Sequence, residues 1–184
     1  KKKYLFKNKI MVIITEAQYE QLKRYKSGAD QITYKVEGED YIVKKPKSGR
    51  FAPYQIAVYR MMEKYPQFFA KIYSIEPTEI KQELLDDKSF LRDFFRLFYA
   101  MDKIQNIKGS RLIDKMLELF LNIAYEDAET LKIAVNLDKN NFAFFNALRN
   151  WFRAFLSARY WGATDLHPQQ MGYNKEGKIK IFDI

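Results

Sequence analysis

The sequence predicts an α+β protein built in two parts. Three observations carry that expectation. Short alternating segments of β-branched and aromatic residues dominate up to about residue 86, longer runs with helical spacing follow, and a short alternating segment returns at the end. ITYKV (32–36), the turn EGED (37–40) and YIVKK (41–45) read as a hairpin around a glycine-containing turn. Pro53 stands where a first helical turn tolerates proline. QIAVYRMMEKY (55–65) follows, with Val58, Tyr59 and Met62 at helical spacing, and Pro66 ends it. FFAKIYSIEP (68–77) and TEIKQELL (78–85) read as two further strands around a Pro-Thr turn.

Beyond residue 86, SFLRDFFRLFYAMDKIQ (89–105) is an amphipathic helix broken by Gly109. SRLIDKMLELFLNIAY (110–125) opens on a Ser110 cap, and a weaker helical segment covers 127–137. FAFFNALRNWFRAFLSARYW (142–161) is the most apolar helix and stops at Gly162. Periodicity turns the rings of 89–105 and 142–161 inward, as core. The closing segment is QMGYN, the turn KEG (175–177) and the strand KIKIFDI (178–184). The expected division is a basic extension with a lead-in helix at 1–23, a β-rich part at 24–86 and a mainly helical part at 87–184.

Composition narrows the function classes. With 184 residues, 47% of them hydrophobic and 30 of them aromatic, the chain buries a core of normal proportion and is not disordered. No apolar run is long enough to span a membrane. Zero cysteines exclude disulfides, a thiolate nucleophile and cysteine-ligated metal, and a single histidine, His167, excludes a histidine-rich metal site. A reducing cytoplasmic address is expected. Of the net charge of +9, +7 falls in residues 1–50, which hold 13 Lys and Arg against 6 Asp and Glu. That balance favours phosphate-bearing partners or an acidic protein over neutral ones, a solubilising surface being the alternative.

The chemistry concentrates in ATDLHPQQMGYNKEGKIKIFDI (163–184). Asp165 sits in a tight loop after an apolar helix, and Asp183 ends a strand 18 positions later. A hairpin between them returns both carboxylates to one edge, where a third polar group, Gln170, joins them. Hard oxygen ligands of this kind hold Mg²⁺ and orient a hydroxyl. Here the chain resembles the protein-kinase-like superfamily, whose pattern is HRDLKPENILLD followed by GxIKIxDFG. Asp165-Leu166-His167-Pro168 takes the place of DLKP, Gln170 that of the metal-binding Asn, and Lys178–Asp183 that of the strand leading into the metal-binding Asp. The DLHP form and Gly172 look closer to phage-encoded and aminoglycoside-phosphotransferase-like kinases than to eukaryotic signalling kinases.

The resemblance implies a two-lobed fold, a small β-rich lobe with one helix and a mainly helical, truncated second lobe, with ATP and Mg²⁺ as cofactors. It runs over about residues 24–184. Tyr41-Ile42-Val43-Lys44 fits the strand whose lysine holds the nucleotide phosphates, and Lys81-Gln82-Glu83-Leu84-Leu85 fits the hinge strand, with Glu83 and Leu85 clasping adenine. Asp165 would orient the acceptor hydroxyl, with His167 either a general base or a structural member of the loop. Asp183 and Gln170 would hold metal.

Departures are as specific. Only Gly28 remains of the glycine-rich phosphate loop, and Gln55 stands where the glutamate partner of Lys44 belongs, Glu63 being the rival by spacing. Thr164 replaces the arginine of HRD, and the chain ends one residue after Asp183, the helices of 110–137 being expected to substitute for the missing half. Two classes follow. One is an ATP- and Mg²⁺-dependent phosphotransferase, a minimal atypical serine/threonine protein kinase. The other is a pseudokinase that binds and inhibits a partner protein. Nucleic-acid binding by the basic first quarter is a third and weaker reading, and no membrane partner is expected.

Overall fold

Side chains that branch at Cβ or carry a ring suit a pleated surface with one face buried, and alternation along the strand selects that face. A computed structural model describes residues 3–7, 10–14, 24–27, 30–105, 115, 118–119, 122–123, 128–158 and 168–183. The fold is mixed α+β, and the chain divides into two compact units, Lys1–Pro66 with Lys71–Leu84, and Gln67–Ala70 with Leu85–Ile184.

In the first unit, β1 (Lys3–Lys7) and β2 (Ile10–Ile14) pair antiparallel, Lys3 opposite Ile14 and Lys7 opposite Ile10. The basic extension thus forms a hairpin over 3–14, and the rest of 1–23, where a lead-in helix is expected, is not covered by it. The run Ile10-Met11-Val12-Ile13-Ile14 is β-branched at four of five positions, which favours strand over helix. Residues 15–23 lie outside the described residues. β3 (Arg24–Ser27), β4 (Gln31–Lys35), β5 (Tyr41–Pro46), β6 (Ile72–Glu76) and β7 (Glu79–Glu83) form one antiparallel sheet in the order β3-β4-β5-β7-β6. Register sets Thr33 opposite Lys44, Lys44 opposite Ile80, and Ile42 opposite Gln82. These five residues therefore share one face of the sheet, and all are buried.

Helix α1 (Pro53–Glu63) carries Tyr59 and Met62 as its buried residues, three apart on one face. Proline at its first position removes an amide that would have no partner there. Its sequence leaves no polar side chain at the cap, Ala52, so the opening turn is closed from inside. The Gln55 side chain turns back and its Oε1 accepts the Ala52 amide at 2.9 Å.

The second unit holds α2 (Asp87–Gln105), α3 (Ala128–Val135), α4 (Lys139–Ser157), a 3-10 turn (Pro168–Gln170), and the hairpin β8 (Met171–Tyr173) and β9 (Ile179–Ile181). On α2, Phe90, Phe94, Leu97, Phe98 and Met101 are buried, and on α4 Phe144, Phe145, Leu148, Phe152 and Phe155 are. The inward turn read from the sequence is thus observed for these rings, while Tyr99 and Phe142 are exposed. Burying such a side chain stabilises the fold by about 1.5–3 kcal/mol each. The rings meet edge to face, Phe90 with Phe144 at 5.7 Å and Phe68 with Phe155 at 5.2 Å, while Trp151 stacks on Phe155 at 5.0 Å.

Both long helices begin earlier than hydrophobic periodicity alone places them, because an aspartate caps each. Asp138 accepts the Asn140 and Asn141 amides at 2.9 Å, and Asp86 accepts the Ser89 amide at 2.9 Å. The hydrogen bonds from Ser89 hold the Asp86 carboxyl below its ordinary range. A carboxyl lowered on folding contributes stability above its unfolded pKa, and loses it as pH falls through the folded value. Asp86→Ala will therefore cost about 0.5–2 kcal/mol in urea denaturation at pH 7. The gap from the parent chain will narrow below about pH 4, where the carboxylate protonates.

Candidate functional site

The closing hairpin is the local structure from which the site is built. Its turn is tight because Gly177 takes a positive φ of 74°, and the Asn174 side chain accepts the amides of Glu176 and Lys178 at 3.0 and 2.9 Å. Two further segments of the same unit fix the hairpin from both sides. Residues 68–70 lie parallel to β9, with the Ala70 amide on the Ile181 carbonyl at 2.8 Å and the Ile181 amide on the Phe68 carbonyl at 2.9 Å. On the other side Asp86 and Tyr173 exchange both backbone bonds, at 2.8 and 3.2 Å. Met171, Ile179 and Ile181 are buried.

That clamping puts two of the expected ligands at the same end of the hairpin. The Phe182 amide donates to the Gln170 carbonyl at 2.9 Å, so Asp183 follows directly on a residue bonded to Gln170. Both side chains are half-buried. A carboxylate and an amide carbonyl are the hard oxygen donors that Mg²⁺ takes, and two of them leave the remaining positions to water and phosphate. The donor set fits that ion. Among the described residues no group of three or more acidic or histidine side chains could hold a metal. Asp165, His167 and Gly28 lie outside the described residues.

The remaining expected residues are placed as follows. Lys44 is buried, 2% exposed on β5, with its ammonium 5.2 Å from the centre of the Tyr59 ring. The Tyr59 hydroxyl donates in turn to Gln31 Oε1 at 3.0 Å. From α1 it is thus Tyr59 that lies beneath the lysine, while Gln55, one turn earlier, bonds its own helix start and Glu63 is exposed. Tyr59 is readable in the sequence only as an apolar helix position. Glu83 ends β7, its carboxylate accepting the Lys71 amide at 3.0 Å and its amide donating to the Lys71 carbonyl at 2.7 Å. Leu85 is buried against Gly172 of β8.

Sequence reasoning passed over two features. One is Gln82, fully buried on the face that holds Lys44. The strand pattern Glu79-Ile80-Lys81-Gln82-Glu83 contained the signal, since alternation puts Gln82 on the same side as Ile80. The other is a cavity of about 610 Å³ in the second unit, lined by Asp86, Asp93, Arg96, Asn141, Phe144 and Tyr173 among others and by none of the expected site residues. Its polar walls bond among themselves. The Tyr173 hydroxyl donates to Asp93 at 2.9 Å, and Arg96 lies 4.0 Å from the same carboxylate. Burial, then that hydrogen bond, pushes the Tyr173 phenol well above its ordinary pKa.

Among the described residues no helix is long and apolar enough to cross a membrane. No protein-family model matches the chain, and no curated protein sequence does.

A β-carbon added at Gly172 would lie 2.8 Å from the Leu85 β-carbon and 3.1 Å from the Asp87 amide nitrogen. Neither can withdraw easily, since both belong to the backbone segment paired with β8. Gly172→Ala is expected to lower stability by about 1–3 kcal/mol. Chemical denaturation checks this, and a change below 0.5 kcal/mol would mean the hairpin has room to move.

Proposed function

We propose that this chain is a minimal ATP- and Mg²⁺-dependent phosphotransferase of the protein-kinase-like type, with a serine or threonine hydroxyl of a protein as acceptor. The single observation that carries the reading is the backbone bond between Phe182 and Gln170, which puts Gln170 and Asp183 at the same end of a hairpin clamped from both sides. A buried lysine on β5 supports it, because a strand-borne ammonium in low dielectric is a strong phosphate ligand. In this reading the two compact units correspond to the two lobes.

Each residue then has a task. Asp165 orients the acceptor hydroxyl and receives its proton, with His167 beside it in the loop. Asp183 and Gln170 hold Mg²⁺, which supplies charge neutralisation on the phosphate oxygens. Lys44 binds phosphate from the sheet, the segment from Glu83 to Leu85 clasps adenine, and Gly28 marks what remains of the phosphate loop. Catalysis by such a set is positioning plus electrostatics, and needs no covalent intermediate.

A specific observation favours a second reading. Gln55, which stands where the resemblance calls for a glutamate, is engaged at the start of its own helix, and Lys44 lies over Tyr59. This suits a pseudokinase that keeps the fold and a nucleotide, and acts by occupying a partner protein.

Thermal shift and phosphorylation separate the two. ATP with Mg²⁺ is expected to raise the melting temperature, and Asp183→Ala to weaken that binding by about 10-fold or more. Lys44→Met should fold and lose the response. Autophosphorylation falling by about 10²–10⁴ in Asp165→Asn supports the enzyme. Nucleotide binding with no phosphoryl transfer supports the pseudokinase, and no response at millimolar nucleotide overturns both.

A further inference from the structure

We propose that the cavity of the second unit is a docking groove for an acidic, extended peptide segment of a partner protein, whose carboxylates pair with Arg92 and Arg96. The inference goes beyond the phosphotransferase reading and stands without it, since none of the expected nucleotide-site residues lines the cavity. Its walls come from α2 and the residue before it, from α4 and from the tip of the closing hairpin, all within one unit. The cavity measures about 610 Å³ and opens at the surface, where Arg96, Asn140, Ala143, Ala147 and Lys175 are exposed. A bound segment reaches these groups without moving the core.

Charge selects the occupant. Asp93 serves three groups at once: its Oδ1 lies 3.6 Å from Arg92 Nε and 4.0 Å from a terminal nitrogen of Arg96, and its Oδ2 accepts the Tyr173 hydroxyl at 2.9 Å. Both guanidiniums are too far from that oxygen for a close hydrogen bond, so their planar donor forks suit a further carboxylate. Asp86 is spent on the start of α2, where it accepts the Ser89 amide and feels the charge of Lys88. With Lys175 on the rim, four cations meet two carboxylates, and the surplus is positive. The same side of α2 extends this surface. Arg92, Phe95, Arg96 and Tyr99 follow three and four apart, with Phe95 and Tyr99 stacked at 6.2 Å and Tyr99 exposed. Arginine and tyrosine are residues on which protein interfaces centre. On the α4 side Asn140, Ala143 and Ala147 share a face. The alanines leave width for a side chain, and the Asn140 amide offers a donor and an acceptor to a peptide bond. A nucleic-acid strand fits less well, because its closely spaced phosphates would lie against Asp86 and Asp93.

The test is fluorescence anisotropy on the full chain without nucleotide, using a labelled octapeptide of alternating glutamate and leucine. The parent chain is expected to bind it about 10-fold tighter than the matching glutamine–leucine peptide, with affinity falling as salt rises. Arg92→Gln combined with Arg96→Gln is expected to weaken that binding about 10-fold, and Ala147→Trp to block it. The charge-matched pair Arg60→Gln with Lys64→Gln, on exposed positions of the first unit, should leave it unchanged. Both groove arginines are exposed and loosely paired, so their replacement should not lower the melting temperature of the free chain. Equal binding of the two peptides, or binding of neither, overturns the proposal. So does an equal loss in the Arg60 and Lys64 variant, which would make net charge the cause, or an undiminished affinity in the groove variants. Tighter binding of a single-stranded oligothymidylate than of the acidic peptide overturns it as well, and would make the surface a nucleic-acid site. If a groove variant fails to fold, the comparison of the two peptides on the parent chain still decides. None of these outcomes touches the phosphotransferase reading, whose test uses nucleotide.

Discussion

Backbone pairing of the closing hairpin is the constraint on which the candidate site depends. β8 and β9 are three residues each, too short to stand alone in water. They persist because residues 68–70 pair with β9 on one side and Asp86 pairs with Tyr173 on the other. Gly172 permits the close approach of the Leu85–Asp87 segment, and Met171 and Ile181 face each other in the core. Remove that pairing and nothing local would keep Gln170 and Asp183 at one end of the hairpin. The hairpin is polar at its tip and apolar at its base, so the end that carries Gln170 and Asp183 is set by the best-packed part of the unit rather than by the loop itself.

In the first unit the governing feature is polarity inside a sheet. Thr33, Lys44 and Gln82 are all buried on a face where Ile42 and Ile80 show what packing alone would choose. Interior polar groups cost stability unless they are satisfied, and a sheet tolerates them where function requires them. Tyr59 meets part of that demand, presenting its ring to the lysine and its hydroxyl to Gln31. The two units thus place their candidate residues differently, the second at strand ends and the first on a buried strand face.

Much of this architecture was legible because local signals agreed. Alternation around a glycine turn gave the 32–45 hairpin, Pro53 marked the start of α1, and the spacing of Phe90, Phe94 and Phe98 marked the buried stripe of α2. What was not legible involved competition between two uses of one residue. Gln55 reads as a partner for Lys44 by its place in the helix, yet the third helical position after a cap with no polar side chain is also where a glutamine closes the first turn. The five-residue run from Ile10 to Ile14 was obscured by the lysines before it, whose charge suggested an extension rather than a strand partner. Helix starts were misplaced because an aspartate cap acts several residues before the first apolar position, as Asp138 does. Gln82 went unremarked because a polar residue in a strand reads as outward until the register is known.

The most direct measurement of the central claim is paramagnetic relaxation with Mn²⁺ and ATP standing in for Mg²⁺ and ATP, followed by NMR on the full chain. The account predicts that substoichiometric Mn²⁺ broadens the side-chain amide of Gln170 and the backbone resonances around Asp183 first, and only when nucleotide is present. Broadening that centres on exposed acidic residues such as Glu176, or that is indifferent to nucleotide, would contradict it.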